Sequence, residues 1–148
     1  MYEETKMDLG SLLVLAIILY GLCLMYANVP DFVNISIILS TYNEKPSIEF
    51  TINELIKYLP GVEIVVVDDN SPDGTLDVLK KINYANLKIF SRPKTKGLAS
   101  AFLLGLINAK GDLIGWIDSN MGQVAKKFPE MQNYLTNNDI IILSRYIE

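Results

Sequence analysis

An α/β domain built on a parallel sheet is the fold class this sequence predicts, and three observations predict it. Short apolar runs rich in β-branched residues alternate with stretches of helical periodicity. The run Ile64-Val65-Val66-Val67 has the composition of a strand buried on both faces. Two of the runs end on acids, Asp68-Asp69 and Asp118, and turn-forming residues follow. Strands alternating with helices imply parallel βαβ units with right-handed crossovers, a Rossmann-like layered domain.

The elements follow in order. Residues 1–8 read as a short acidic tail, and Leu9 to Ala27 as an uncharged apolar segment. As a helix its nineteen residues rise about 28 Å, close to the ~30 Å hydrocarbon thickness of a bilayer. A single-pass membrane anchor is therefore expected there. The rivals are a signal peptide, which wants a basic start and small residues before its cut, and a buried or interfacial helix. Neither flank is rich in Lys or Arg, so orientation is not signalled. Residues 28–33, with Pro30, form a linker, and residues 34–148 the globular part.

Within that part, strands are predicted over Ile35–Leu39, Glu63–Val67, Leu87–Phe90, Leu113–Ile117 and Ile140–Leu143. Pro46 suits a helix start, and Ile48, Ile52, Leu55, Ile56 and Leu59 recur at helical spacing until Pro60-Gly61. Further helices are predicted over Thr75–Ile82, Leu98–Ala109 and Pro129–Leu135, with Gly111 stopping the second of these in a left-handed conformation.

Composition narrows the chemistry. The chain has 148 residues, a net charge of −4 and no basic block, so nucleic acid is not an expected partner. It has no histidine and one cysteine, Cys23, which excludes a histidine base, a Ser-His-Asp triad, zinc-histidine chemistry and an internal disulfide. Carboxylates, amides, lysines, arginines or a bound metal must carry any reaction.

In an open parallel sheet, ligands bind beyond the carboxyl ends of the strands. Four loops lie there: Thr41–Lys45, Asp68–Gly74, Arg92–Gly97 and Asp118–Gln123. Tyr42, Asn43 and Glu44 suit a base and ribose, and Asp68 can accept a hydrogen bond from a nucleobase or sugar. Arg92, Lys94 and Lys96 precede a helix N-terminus, an arrangement that favours phosphate, although lysine-rich loops are commonly just solvated. Asp118 and Asn120 stand two apart and point the same way if the strand stays extended. So placed, a carboxylate and an amide oxygen can share Mg²⁺ or Mn²⁺ with a diphosphate, and Gln123 is a substitute ligand.

The succession Ser40-Thr41-Tyr42-Asn43-Glu44, VVVDDNSPDGT, RPKTKGLASAFLLGLINAKGDLIGWIDSN and DIIILSRY resembles the inverting GT-A glycosyltransferases of family 2. Within that family it is similar to the polyprenol-phosphate sugar transferases, typified by dolichol-phosphate mannose synthases. The resemblance covers roughly residues 34–147. It implies a GT-A sheet, apparently shortened at its C-terminal end because such proteins continue well past the Ser-Arg-Tyr segment. It implies a substrate-binding set of Thr41, Tyr42, Glu44, Asp68, Asp69, Lys96 and Gly97, a metal held by Asp118 and Asn120, and catalytic roles for Asp118 and for Arg145 near the acceptor phosphate. Asn120 stands where the family pattern has a second acid. The implied reaction is transfer of mannose or glucose from a GDP-mannose or UDP-glucose class donor to polyprenyl or dolichyl phosphate at a membrane. The catalytic domain would face the cytosol, where such donors are made. The alternative is a nucleotide-sugar-binding module without transferase activity.

Overall fold

The computed structural model describes residues 34–94, 97–135 and 137–143. The segment expected to anchor the chain in a membrane, residues 9–27, lies outside them. Among the described residues no helix is long and apolar enough to cross a bilayer.

Four strands form one parallel sheet: β1 (Ile35–Thr41), β2 (Glu63–Asp68), β3 (Leu87–Ser91) and β4 (Leu113–Asp118), in the spatial order β3-β2-β1-β4. Four of the five expected strands are present, and each of these runs one or two residues further at its carboxyl end. That extension places Thr41, Asp68 and Asp118 on the last rung of the sheet itself.

The helices are α1 (Ile48–Tyr58), α2 (Thr75–Leu79), α3 (Leu98–Asn108) and α4 (Phe128–Gln132), with a 3₁₀ helix over Gly122–Lys127. The chain winds outward from β1 through β2 to β3, then returns past β1 to β4. Right-handed crossovers in opposite directions put helices on opposite faces of a sheet. Accordingly, α1, the 3₁₀ helix and Phe128 pack with Ile37, Leu39, Ile64 and Val66 on one face, and α3 packs against Ile38 on the other. The core on the first face joins Ile48, Ile52, Leu55 and Leu79 to those strand residues, all with no exposed surface. Each such side chain contributes about 1.5–3 kcal/mol by leaving water.

Four expectations are corrected. Ile140–Leu143 is not a strand: the segment is irregular, and Ile140 and Ile142 are exposed. Its apolar pattern reports a preference for burial, but strand structure also needs a neighbour for its N–H and C=O groups. The helix expected over Thr75–Ile82 ends at Leu79, although Ile82 still packs on the core. The helix expected over Pro129–Leu135 starts at Phe128 and stops at Gln132, with the unforeseen 3₁₀ helix in front of it. Gly111 is not in a left-handed conformation; α3 stops because Ala109 turns extended. Glycine is needed at 111 because a Cβ there would sit 2.5 Å from Ser36 N and 2.7 Å from Asn34 O.

That close approach belongs to a polar latch at the amino end of the sheet. Ser36 Oγ accepts from Gly111 N at 2.7 Å and donates to Glu63, which also accepts from Lys110 N and pairs with Lys88 at 2.6 Å. Burial pushes the Glu63 carboxyl up, but the hydrogen bonds from Lys88, Ser36 and Lys110 N outweigh it and hold the pKa below its ordinary value. A carboxyl depressed in the fold stabilises it fully above the unfolded pKa of about 4.3 and loses that contribution as pH falls through the folded value. Glu63→Gln is therefore expected to flatten the decline of melting temperature between pH 5 and 3. An unchanged acid limb would show that the latch carries no such linkage.

Opposite α1, the outer surface of α3 and β4 is apolar and open among the described residues. Leu98, Leu103, Ile107 and Trp116 are exposed there, and the Phe102 and Trp116 rings meet at 5.2 Å between centroids.

Candidate active site

The chain reverses direction across the sheet at β1, so the crevice beyond the carboxyl ends of β1 and β4 is the topological switch point where open α/β sheets take ligands. Ser40 lies level with Asp118, and Thr41 with Asp68. Both expected acidic strand ends therefore flank the same two residues of β1.

On the β2 side two loops are stitched together. Three successive amides of the first, Asn43 N, Glu44 N and Lys45 N, donate to Ser71 Oγ, Thr75 Oγ1 and Asp73 Oδ2, each at 3.0 Å. Asp73 also accepts from Thr75 N at 2.9 Å and from Thr75 Oγ1 at 2.6 Å. The hydrogen bond from the Thr75 hydroxyl leads the set that holds the Asp73 carboxyl below its usual range. Asn43 and Asn70 both take left-handed conformations (φ 60° and 58°), which asparagine tolerates better than most residues. The Asn-Ser-Pro-Asp-Gly-Thr run thus shapes the neighbouring loop. Ser71, Asp73 and Thr75 were missed as site-building residues; the serine, aspartate and threonine spacing around Pro72 is the only signal they left.

Asp68 is fully buried, and its carboxylate accepts from Ser71 Oγ and from Ser71 N at 3.0 Å. It faces the loop rather than open space. Tyr42 is half exposed, and Glu44 accepts from Ser47 Oγ at the entry to α1. Thr41 and Ser40 each have a hydroxyl oxygen that is buried and has no hydrogen-bond partner among the described residues.

Asp69 and Arg92 form a buried ion pair. Arg92 Nε donates to Asp69 Oδ1 at 2.7 Å, and Nη2 reaches the same oxygen. Arg92 Nη1 donates to Ser100 Oγ at 2.8 Å and Nη2 to Gly97 O at 3.1 Å, while Gly97 N donates to Asp69 Oδ2 at 2.8 Å. Every guanidinium nitrogen is engaged, so the expected phosphate contact from Arg92 is replaced by a structural one. The pair fixes the start of α3 against the end of β2. Lys94 is exposed, Gly97 caps α3 with φ 130°, and Lys96 lies outside the described residues, as does Arg145.

On the β4 side, Asp118 and Asn120 are exposed, and neither side chain has a partner among the described residues. The chain does not stay extended after Asp118: Met121 N donates back to Asp118 O at 2.9 Å, closing a turn. Asp118 and Asn120 thus share a tight turn rather than one strand face. Gln123 is exposed in the 3₁₀ helix and touches the sulfur of Met121 at 3.6 Å. A carboxylate with both oxygens open suits a hard divalent cation. No three acids, cysteines or histidines gather among the described residues, so amide oxygens, water or a ligand's own oxygens would share such a shell with Asp118.

Comparison with known proteins fits this arrangement. The sequence is 35% identical over 118 residues to a dolichol-phosphate mannosyltransferase of Pyrococcus furiosus, a match covering 77% of this chain and 34% of that protein. It is 30% identical over 107 residues to an Escherichia coli glucosyltransferase acting on a GlcNAc-diphosphoundecaprenol, covering 72% of this chain and 43% of the relative. The chain thus spans less than half the length of each of these relatives. Among solved structures, a mannosyltransferase of Pyrobaculum calidifontis with GDP-Man and Mn²⁺ superposes with TM-score 0.54 at 24% identity, over 70% of this chain and 34% of that one. The UDP complex of Mycobacterium tuberculosis glucosyl-3-phosphoglycerate synthase gives TM-score 0.58 at 20% identity, over 93% of this chain and 47% of that one. These likenesses establish the GT-A-like fold. The sequence model of glycosyl transferase family 2 matches residues 36–148, from β1 through both acidic strand ends. A parallel sheet with its acids at the switch point, matched along that length, makes this chain a member of glycosyl transferase family 2.

Proposed function

We propose that this chain is the donor-binding part of a metal-dependent, inverting glycosyltransferase acting at a membrane surface. Its donor is a nucleotide sugar of the GDP-mannose or UDP-glucose class, and its acceptor a polyprenyl or dolichyl phosphate. The observation that carries the reading is the exposed carboxylate of Asp118, without a side-chain partner among the described residues, at the switch point of a sheet whose β1 and β2 ends carry the stitched pair of loops. The acceptor class is supported by the relationship to the archaeal dolichol-phosphate mannosyltransferase.

Thr41, Tyr42 and the Glu44 loop hold the nucleoside. Asp68 supports them from below through Ser71, and its own contact with base or ribose requires the Ser71 hydroxyl to yield. Lys96 and Gly97 are assigned to the phosphates. Asp118, with Asn120 or Gln123, would hold Mg²⁺ or Mn²⁺, a metal that neutralises charge on the departing diphosphate. An oxygen of the acceptor phosphate attacks the anomeric carbon as the bond to the diphosphate breaks on the opposite side, so the configuration inverts. That nucleophile is already anionic and needs no strong base, in keeping with a chain without histidine. Arg145 is assigned to the acceptor phosphate, and residues 9–27 to the membrane, with the sheet on the cytosolic side.

The second reading, a binding module without turnover, draws on Asn120, which leaves the turn with a single carboxylate. Calorimetry with GDP- and UDP-sugars, with and without Mn²⁺, tests what both readings share. Metal-enhanced binding of one donor class is expected, and no binding of either would overturn both. Transfer of radiolabelled sugar to polyprenyl phosphate in membranes then separates them: labelled lipid supports the transferase, and binding without transfer leaves only the module.

A further inference from the structure

We propose that Thr51 and Ser119 are positioning residues that preset the metal-holding turn, an inference that rests on the metal reading of Asp118. Thr51 lies inside α1 and has no exposed surface. A threonine in a helix interior ordinarily bonds its hydroxyl to a carbonyl one turn back. Here Thr51 Oγ1 instead donates at 2.7 Å to the carbonyl of Ser119, the residue between Asp118 and Asn120. Ser119 is also buried, and its own hydroxyl donates at 2.7 Å to Ser40 O in β1.

The middle residue of the Asp-Ser-Asn turn is therefore held twice, by its carbonyl to α1 and by its side chain to β1. Backbone contact closes the same junction. A Cβ on Gly122 would lie 2.7 Å from Thr51 Cα, so the start of the 3₁₀ helix rests directly on α1 at this threonine. With Met121 N bonded to Asp118 O, both ends of the turn are set before any ligand arrives. The exposed side chains of Asp118 and Asn120 then need only settle their own rotamers. Groups that orient ligands without touching the metal act by sparing this ordering cost. Thr51 sits in the apolar stripe of α1, and nothing in its sequence context sets it apart from a core residue.

The test compares Thr51→Val, Thr51→Ser, Ser119→Ala and Asp118→Ala with the parent chain. Mn²⁺ affinity at saturating nucleotide is read by electron paramagnetic resonance or calorimetry, and nucleotide affinity is read without metal. Thr51→Val and Ser119→Ala are each expected to weaken Mn²⁺ binding roughly 10-fold, the lower end for outer-shell changes. Metal-free nucleotide affinity should stay within about twofold, and Thr51→Ser should restore the metal affinity. If Thr51→Val does not fold, Ser119→Ala and Thr51→Ser carry the comparison. Parent-like Mn²⁺ affinity in Thr51→Val and Ser119→Ala, beside a loss in Asp118→Ala, overturns the positioning role and leaves the metal reading standing. Equal weakening of metal and metal-free binding overturns it too, since a merely structural role does that. An Asp118→Ala chain with unchanged Mn²⁺ affinity overturns both.

Discussion

Arg92→Ala is expected to lower the folding stability by about 3–5 kcal/mol, read as a shift in the urea midpoint at unchanged m-value. The guanidinium is buried and holds Asp69, Ser100 and Gly97 at once, so its removal leaves a buried carboxylate without its counter-charge. Gly97 N still donates to Asp69 at 2.8 Å, but one neutral amide does not replace a cation. Replacing both partners by apolar residues of similar volume, as in Arg92→Met with Asp69→Leu, should recover part of the loss, because no uncompensated charge remains. Lys94→Ala nearby should fall within about 0.5 kcal/mol, as an exposed substitution does. A loss below ~1 kcal/mol for Arg92→Ala would show that the pair does not organise the start of α3.

The second large effect is on ligand binding. Asp118→Ala should remove the Mn²⁺-dependent increment in donor affinity, a loss of roughly 100-fold, or about 2.7 kcal/mol. Its melting temperature should stay near that of the parent chain, because Asp118 is exposed and its side chain bonds to nothing among the described residues. Asn120→Asp should move the other way and tighten Mn²⁺ binding, since a second carboxylate adds charge where an amide supplies only a dipole. A parent-like metal response in Asp118→Ala would place the ion elsewhere. Weaker metal binding in Asn120→Asp would argue that residue 120 is not a ligand.

Much of the architecture is legible in local pattern because buried strands and amphipathic helices write their burial into adjacent residues. Ile64–Val67 and Ile35–Leu39 announce their strands, and the acids at 68 and 118 announce which end of the sheet meets a ligand. Ile140–Leu143 shows the limit: a β-branched run satisfies the pattern, yet the described structure has no strand there. Gly111 shows another. A glycine after a helix suggests a left-handed stop, whereas here the space is taken by the backbone of Asn34 and Ser36.

Chain order and composition alone established a parallel α/β layer, two acidic strand ends, the absence of histidine chemistry and the family resemblance. These follow from residues close together in sequence. The tertiary structure decided which charged groups remain available. It paired Arg92 with Asp69, turned the Asp68 carboxylate onto Ser71 and left the Asp118 side chain without a partner among the described residues. It also brought Thr51 to Ser119 across 68 residues. A side chain's partner depends on the pleat it occupies and the crossover that covers it, and neither is written in its neighbours along the chain.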